Sequence, residues 1–177
     1  WGWRRRAIPQ AAGGGDADRV KIACLAQLEG HVIHFAARGA MDIAGLGEKT
    51  VKQLIEQRLV RDLADVYTLT PIDFATLEGF AGKSIENMIA ALETSKTPRL
   101  DRFLFALGIE HVGETVARLL AEHFGALAPL METTAEDLQQ IHGIGPEVAE
   151  SVAHFFASKR NRKVIDRLLQ SGIKPVH

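Results

Sequence analysis

The chain has 177 residues, of which 46% are hydrophobic and 24% charged, and its formal net charge is −1. This composition excludes a mainly disordered chain, and no stretch approaches the roughly 18 consecutive apolar residues of a membrane span. The single cysteine excludes a disulfide framework and suits a reducing compartment. No secretory signal is visible at the start, so the sequence predicts a soluble cytoplasmic protein, which we expect to be monomeric.

The first 23 residues differ in composition from the rest of the chain. They contain a flexible stretch of small residues at 10–15 and five basic residues against two acidic ones. We predict that residues 1–23 are a disordered or truncated tail and that residues 24–175 form one domain. Residues 24–177 contain 16 Lys or Arg and 20 Asp or Glu. Bulk positive charge therefore cannot be the basis of any binding to nucleic acid.

From residue 24 onward, apolar residues recur at the spacing of short amphipathic helices, and strand-like alternation is essentially missing. In the first predicted helix, Leu28, Val32 and Phe35 share one face, and the helix ends near Gly39. Further helices are predicted over residues 48–57, 62–68, 83–95, 99–107, 114–123, 135–141, 146–158 and 161–171. The predicted fold class is all-α, with small helices joined by tight turns.

A repeated segment is the most informative feature of the sequence. Its four copies are residues 43–57 (IAGLGEKTVKQLIEQ), 77–91 (LEGFAGKSIENMIAA), 109–123 (IEHVGETVARLLAEH) and 141–155 (IHGIGPEVAESVAHF). Each copy begins with a five-residue bend, and an amphipathic helix follows. We name these bends I (43–47), II (77–81), III (109–113) and IV (141–145).

Each bend places an apolar residue between two glycine-like positions. The first position is Gly45, Gly79, His111 or Gly143, and the second is Gly47, Ala81, Gly113 or Gly145. Such glycines let the main chain turn tightly with unusual φ values, while the apolar residue between them fixes the bend to the core. We therefore expect four tight connections, each leading directly into a helix.

The start of a helix offers peptide N–H groups that have no partner within the helix. Together with the positive end of the helix dipole, these donors form an anion site that needs no net positive charge. The bends therefore predict binding to the phosphates of duplex DNA. Such binding is independent of base sequence and sensitive to salt.

The four copies differ in the side chains that could assist such a site. Copies one and two add a cation and a hydroxyl in the first helical turn, whereas copy three adds only a hydroxyl and copy four neither. In copy two, Gly82 is expected to take over the turn because Ala81 replaces the second glycine. The predicted DNA-binding residues are Gly45, Gly47, Lys49, Thr50, Gly79, Lys83, Ser84, Gly113, Thr115, Gly143 and Gly145.

Two other interpretations stay open. A glycine bend before a helix is also a compact helix–helix connection, so the chain could be a protein-interaction scaffold without DNA contact. It could instead be an enzyme like the base-excision glycosylases, with Lys49 and either Asp62 or Asp65 acting on a flipped base. Four bends leave no obvious pocket for a flipped base, which argues against this second alternative.

Residues 26–60, 77–93 and 102–125 resemble, in the same order, segments of the helix-hairpin-helix domain of bacterial NAD-dependent DNA ligase. The stretch ALGIEHVGETVARLL (106–120) is close to a signature of that family, and the likeness covers about residues 24–175. The resemblance implies four tandem helix-hairpin-helix units, in two pairs, that grip duplex or nicked DNA through the minor groove. It also implies a role in nick sealing during DNA replication and repair.

In that family the adenylated lysine, the NAD-binding residues and an OB-fold lie upstream, and a BRCT module usually lies downstream. The resemblance thus implies upstream ligase domains that use NAD and magnesium, and no cofactor bound by this chain. No lysine here stands in the K-x-D-G context of adenylation, and the chain has no P-loop, G-x-S-x-G or H-E-x-x-H motif. We therefore expect this chain alone not to ligate DNA.

The family's domain follows a zinc finger with four cysteines, and Cys24 lies in a segment that resembles one carrying such a cysteine. Structural zinc needs about four ligands, so we expect the zinc site to be lost. His31 and His34 lie nearby, but we interpret them as histidines of the helix surface. On this resemblance, the tail over residues 1–23 is a remnant of the zinc-finger region.

Overall fold

The computed structural model describes the main chain of residues 14–177 and the side chains from Cys24 onward. The first helix begins at Gly14, so residues 14–23 of the predicted tail are helical. Residues 1–13 lie outside the described residues, and the origin of the tail as a remnant of a zinc-finger region stays a prediction. The helices are α1 (Gly14–Ala36), α2 (Glu48–Glu56), a 3₁₀ helix (Leu63–Thr68), α3 (Pro71–Ala75), α4 (Gly82–Thr94), α5 (Leu100–Ala106), α6 (Glu114–Phe124), α7 (Leu127–Met131), α8 (Ala135–Gln139), α9 (Pro146–Ala157) and α10 (Lys159–Gln170). No strand occurs in the described part, so the all-α fold class is confirmed.

Two five-residue helices, α3 and α7, were not predicted from the sequence. Both are too short to show a helical period of apolar residues. The signal for α3 is local: Thr70 accepts a hydrogen bond from the Asp73 N–H, and the Asp73 carboxylate accepts one from the Thr70 N–H. This reciprocal capping box, with Pro71 as the first helical residue, marks a helix start.

Each bend connects two helices that contact one another, and these pairs share one core. Bend I joins α1 to α2, bend II joins α3 to α4, bend III joins α5 to α6, and bend IV joins α8 to α9. Fully buried phenylalanines from all four pairs contribute to the core: Phe35, Phe74, Phe103 and Phe156. The bends are therefore attached to a single packed body.

The last helix and the segment after it return to the middle of the chain. Arg167 on α10 donates one guanidinium N–H to Asp62 and another to Asp65, at the start of the 3₁₀ helix. Beyond α10, the Lys174 N–H donates to the Lys96 carbonyl at 2.7 Å. None of the helices in the described part combines the length and apolar character needed to cross a bilayer.

Candidate nucleic-acid interface

All four bends share a left-handed residue at their first glycine-like position. The φ angle is +90° at Gly45, +86° at Gly79, +66° at His111 and +94° at Gly143. This conformation favours glycine, and a histidine adopts it at a cost in free energy. The repeat is therefore present in the backbone of bend III, although the sequence departs from the glycine pattern there.

The second glycine-like position is extended and immediately precedes a helix in every bend. The φ angle is −88° at Gly47, −141° at Ala81, −91° at Gly113 and −82° at Gly145. Because other residues adopt these angles, our expectation of unusual φ values at both glycines is wrong for this position. A Cβ at Gly47, Gly113 or Gly145 would have no other atom within 4 Å. Neither conformation nor packing requires glycine here, but a missing side chain lets a ligand approach the main chain.

The apolar residue between the two glycine-like positions of each bend lies toward the core. Leu46, Val112 and Ile144 are buried, and Phe80 is half-buried. The glycine-like positions on either side of them are exposed. Each bend is thus held to the core on one side and open to solvent on the other.

The helices that follow the bends begin without a side-chain cap, as α5 and α7 also do, whereas four other helices of this chain have one. Oxygens of Asp62, Thr70, Thr134 and Ser158 accept hydrogen bonds from peptide N–H groups at the starts of the 3₁₀ helix, α3, α8 and α10. No side-chain hydrogen bond of this kind caps α2, α4, α6 or α9. Their first N–H groups therefore remain available to an acceptor outside the chain.

Two of the predicted assisting residues are exposed cations. Lys49 and Lys83 each occupy the second position of the helix after their bend, and both are exposed. Thr50 is half-buried and Thr115 is exposed. Neither lysine forms an ion pair with another described residue. Both ammonium groups can therefore approach a phosphate held by the adjacent peptide groups.

Copy two differs from the prediction in detail. Gly82 is the first residue of α4, so it does not take over the turn; Gly79 makes the turn, with φ of +86°. The Ser84 hydroxyl accepts from the Ala81 N–H and donates to the Ala81 carbonyl, both at 2.9 Å. The Ser84 hydroxyl thus already donates its proton to the main chain. Its main contribution at bend II is to fix the backbone at the start of α4.

The charge at the start of the helix after a bend is most positive at the first bend and most negative at the last. The second and fifth positions of the helix are Lys49 and Lys52 after bend I, but Glu147 and Glu150 after bend IV. In α4 these positions are Lys83 and Glu86, whose charges cancel, and in α6 they are Thr115 and Arg118, with a net charge of +1. The two lysines after bend I therefore attract a phosphate most strongly, and the two glutamates after bend IV repel one.

The bends pack against one another in two pairs. Within the first pair, Gln53 on α2 hydrogen-bonds to the main chain of Glu78 in bend II. Within the second, the Ser151 hydroxyl on α9 donates to the Glu110 carbonyl in bend III at 2.6 Å. Gln53 and Ser151 occupy the same position of their helices, and Glu78 and Glu110 the same position of their bends. Equivalent hydrogen bonds therefore fix the spacing of the two bends within each pair.

The two histidines near Cys24 lie on α1 and are only partly exposed. Both are half-buried, and His34 Nε2 lies 2.7 Å from the Phe105 carbonyl oxygen, with its ring edge-on to Phe105. Burial lowers the pKa of His31. Cys24 is an exposed free cysteine, and no three His, Cys, Asp or Glu of the described residues are grouped to hold a metal ion. The expected loss of the zinc site stays a prediction.

Comparison with protein families connects the bends with a known motif. A family described as "SAM-like Helix-hairpin-helix tandem" matches residues 38–94, and one described as "Helix-hairpin-helix motif" matches residues 102–165. The first match contains bends I and II, and the second contains bends III and IV. Each match therefore corresponds to one of the two pairs of bends that are joined by side-chain hydrogen bonds.

Similar curated relatives include several proteins described as DNA ligase. The chain is 46% identical to the protein of Syntrophus aciditrophicus over 157 residues, which is 89% of this chain. It is 49% identical to those of Syntrophotalea carbinolica and Alkalilimnicola ehrlichii, over 88% and 85% of this chain. The matched region is 22–23% of each relative, so the chain spans less than a quarter of their length.

Proposed function

We propose that this chain, which is similar to curated proteins described as DNA ligase, is the helix-hairpin-helix region of such a ligase and grips duplex DNA through the main chain of its bends. The observation that carries the proposal is that the helices after all four bends begin without a side-chain cap, next to exposed glycine-like positions. Peptide N–H groups at such a helix start are suitable donors to a phosphate oxygen, and the helix dipole favours the negative charge.

This mode of binding accounts for the acidic composition of the region. Residues 24–177 have four more acidic than basic side chains, so attraction by net charge would not hold DNA. Main-chain donors act over a short range and only on a group that reaches the bend. Contacts to phosphates fix the position of the protein but do not read bases, so we expect binding without sequence preference.

The full proposal places this grip in a ligase that seals nicks during DNA replication and repair in the bacterial cytoplasm. It is supported by the relatives described as DNA ligase and by the resemblance to the NAD-dependent enzymes. In this proposal the bends approach the phosphates across the minor groove of nicked DNA. Adenylation, with NAD and magnesium, belongs to upstream domains of the complete protein, and this chain acts as a monomer without catalytic residues.

A salt titration of binding tests the proposal. The affinity of the chain for a fluorescently labelled nicked duplex is measured by anisotropy at several salt concentrations. Lys49 and Lys83 would each release about one counterion, so log K should fall with log salt with a slope of about −2 or steeper. An affinity that does not change with salt would contradict phosphate contacts and favour the protein-interaction scaffold.

A nick-sealing assay tests the proposal that the ligation chemistry belongs to other domains. The chain is incubated with nicked DNA, NAD and magnesium, and the products are separated under denaturing conditions. We expect no sealed product from this chain alone. Sealing would contradict the proposal that it is a binding region only.

A further inference from the structure

A polar groove lies between the loop that leads into bend I and the two helices of bend III. Its volume is about 230 Å³, and it is open to solvent. The residues that line it and matter here are Arg99, Arg102, Arg118, Asp101, Glu114 and Gly39. We call it the arginine groove.

Two of the three guanidinium groups retain their charge for a ligand. Arg99 is paired with Asp101, with Nε 3.2 Å from Oδ1 and Nη2 3.2 Å from Oδ2, so these charges largely cancel. Arg102 Nη2 donates to the Arg38 carbonyl at 2.8 Å, a bond that orients the guanidinium without neutralising it. Arg118 is exposed and has no hydrogen-bond or ion-pair partner among the described residues.

The arginine groove supplies the cations that are missing from the first helical turn after bend III. Bend III has Thr115 at the position that Lys49 and Lys83 occupy after bends I and II. Glu114 is the first residue of α6, so the groove opens beside the uncapped start of that helix, where the dipole is positive. The Glu114 carboxylate is the one negative group left after the Arg99–Asp101 pair is set aside. Two guanidinium groups and a helix start therefore outweigh it.

We propose that the arginine groove binds a phosphodiester group of the DNA backbone, beside the phosphate at bend III. The inference rests on the proposed function and extends it, because it adds a side-chain contact where the loop before bend I meets the helices on either side of bend III. Guanidinium groups bind phosphate oxygens through two parallel hydrogen bonds. Arg102 and Arg118 are the two residues that provide them here.

The test removes one charge at a time and measures binding to the same nicked duplex. Arg118→Gln should weaken binding by about eightfold in about 0.1 M salt and reduce the slope of log K against log salt by about 1. Arg118→Lys should keep most of the slope. Lys163→Gln is the matched control, because Lys163 is an exposed cation on α10, which carries no bend. Arg118→Gln that binds like the unmodified chain would overturn the inference.

A second variant gives a gain of binding, which a purely structural role would not produce. Glu114→Gln removes the opposing carboxylate and should tighten binding severalfold, whereas Glu122→Gln, eight residues further along α6, should not. Thermal unfolding of each variant confirms that it is folded. If Lys49→Gln weakens binding and neither arginine groove variant has an effect, the groove inference fails and the proposed function stands. If the unmodified chain does not bind duplex DNA, both fail.

Discussion

Gln53 on α2 contacts both main-chain polar groups of Glu78 in bend II. The Glu78 N–H donates to Gln53 Oε1 at 2.8 Å, and Gln53 Nε2 donates to the Glu78 carbonyl at 3.4 Å. An amide side chain suits this position because it has one acceptor and one donor group side by side. The contact joins the helix after one bend to the next bend, so it sets the distance between two proposed phosphate sites.

We predict that Gln53→Ala weakens DNA binding severalfold without removing a phosphate contact. The lost hydrogen bonds should lower the free energy of unfolding by about 1 kcal/mol, and the spacing of bends I and II should become less defined. Affinity should fall at every salt concentration while the salt slope stays the same. Gln170→Ala, at the exposed end of α10, is the control. A changed slope would mean that Gln53 acts on charge and not on position.

The bends should contribute unequally to affinity because their charges differ. Lys49→Gln and Lys83→Gln should each weaken binding by about eightfold in about 0.1 M salt. Glu147→Lys, which places a cation at the corresponding position after bend IV, should strengthen binding by a similar factor. The measurement is anisotropy with labelled duplex, at matched ionic strength.

The control for Glu147→Lys is Asp166→Lys. It makes the same change of charge at an exposed position of α10, which carries no bend. If Asp166→Lys strengthens binding as much as Glu147→Lys, the effect reflects net charge, and the assignment of a local site at bend IV is wrong.

The sequence predicts the bends well because their cause is local. A glycine pattern at nearly constant spacing, followed by an amphipathic helix, determines both the turn and the helix start, and the structure has the same backbone at all four places. The all-α class and most helix boundaries follow from the same short-range signals. Even His111, which breaks the glycine pattern, adopts the expected left-handed conformation.

Features that depend on distant residues could not be predicted from the sequence. Gln53 and Glu78 are 25 residues apart, and the arginine groove joins Gly39 to Arg118. No periodicity links such positions, because helix packing brings them together. The conformation of the second glycine was also mispredicted, since glycine is compatible both with unusual φ values and with an open extended position.

Tyr67 provides a test of the core between α1 and α4. Its hydroxyl is 2.8 Å from the Ser95 hydroxyl, and burial raises the pKa of Tyr67 to about 12. Because this is the single tyrosine of the chain, the ultraviolet signal of tyrosinate reports it alone. We expect a midpoint near pH 12 in the folded chain and near the ordinary value of about 10 in denaturant.

The raised pKa also predicts how stability depends on pH. The folded chain holds the Tyr67 proton more tightly than the unfolded chain, so its contribution is complete below about pH 10 and is lost as pH rises toward 12. The free energy of unfolding should therefore decrease between these values. Tyr67→Phe should remove this part of the pH dependence. An unshifted midpoint in the folded chain would contradict the burial of the hydroxyl.

The two glycine-like positions of a bend should respond differently to substitution. Gly45→Ala introduces a side chain at φ of +90° and within 3.1 Å of Met88 Cε, so it should lower stability by about 1 kcal/mol or more. At Gly47 the backbone is extended and the space around a Cβ is open, so a larger residue is accommodated by the fold. Substitution at Gly47 therefore separates binding from stability.

The most direct measurement is the affinity of Gly47→Leu for nicked duplex DNA. Gly30→Leu is the control, because Gly30 is equally open but lies on α1, outside every bend. If the main chain of bend I holds a phosphate, Gly47→Leu should stay folded and bind at least about tenfold more weakly, with nearly the same salt slope and no base preference. A folded Gly47→Leu chain that binds as tightly as the unmodified chain would contradict capture of phosphate by the bend.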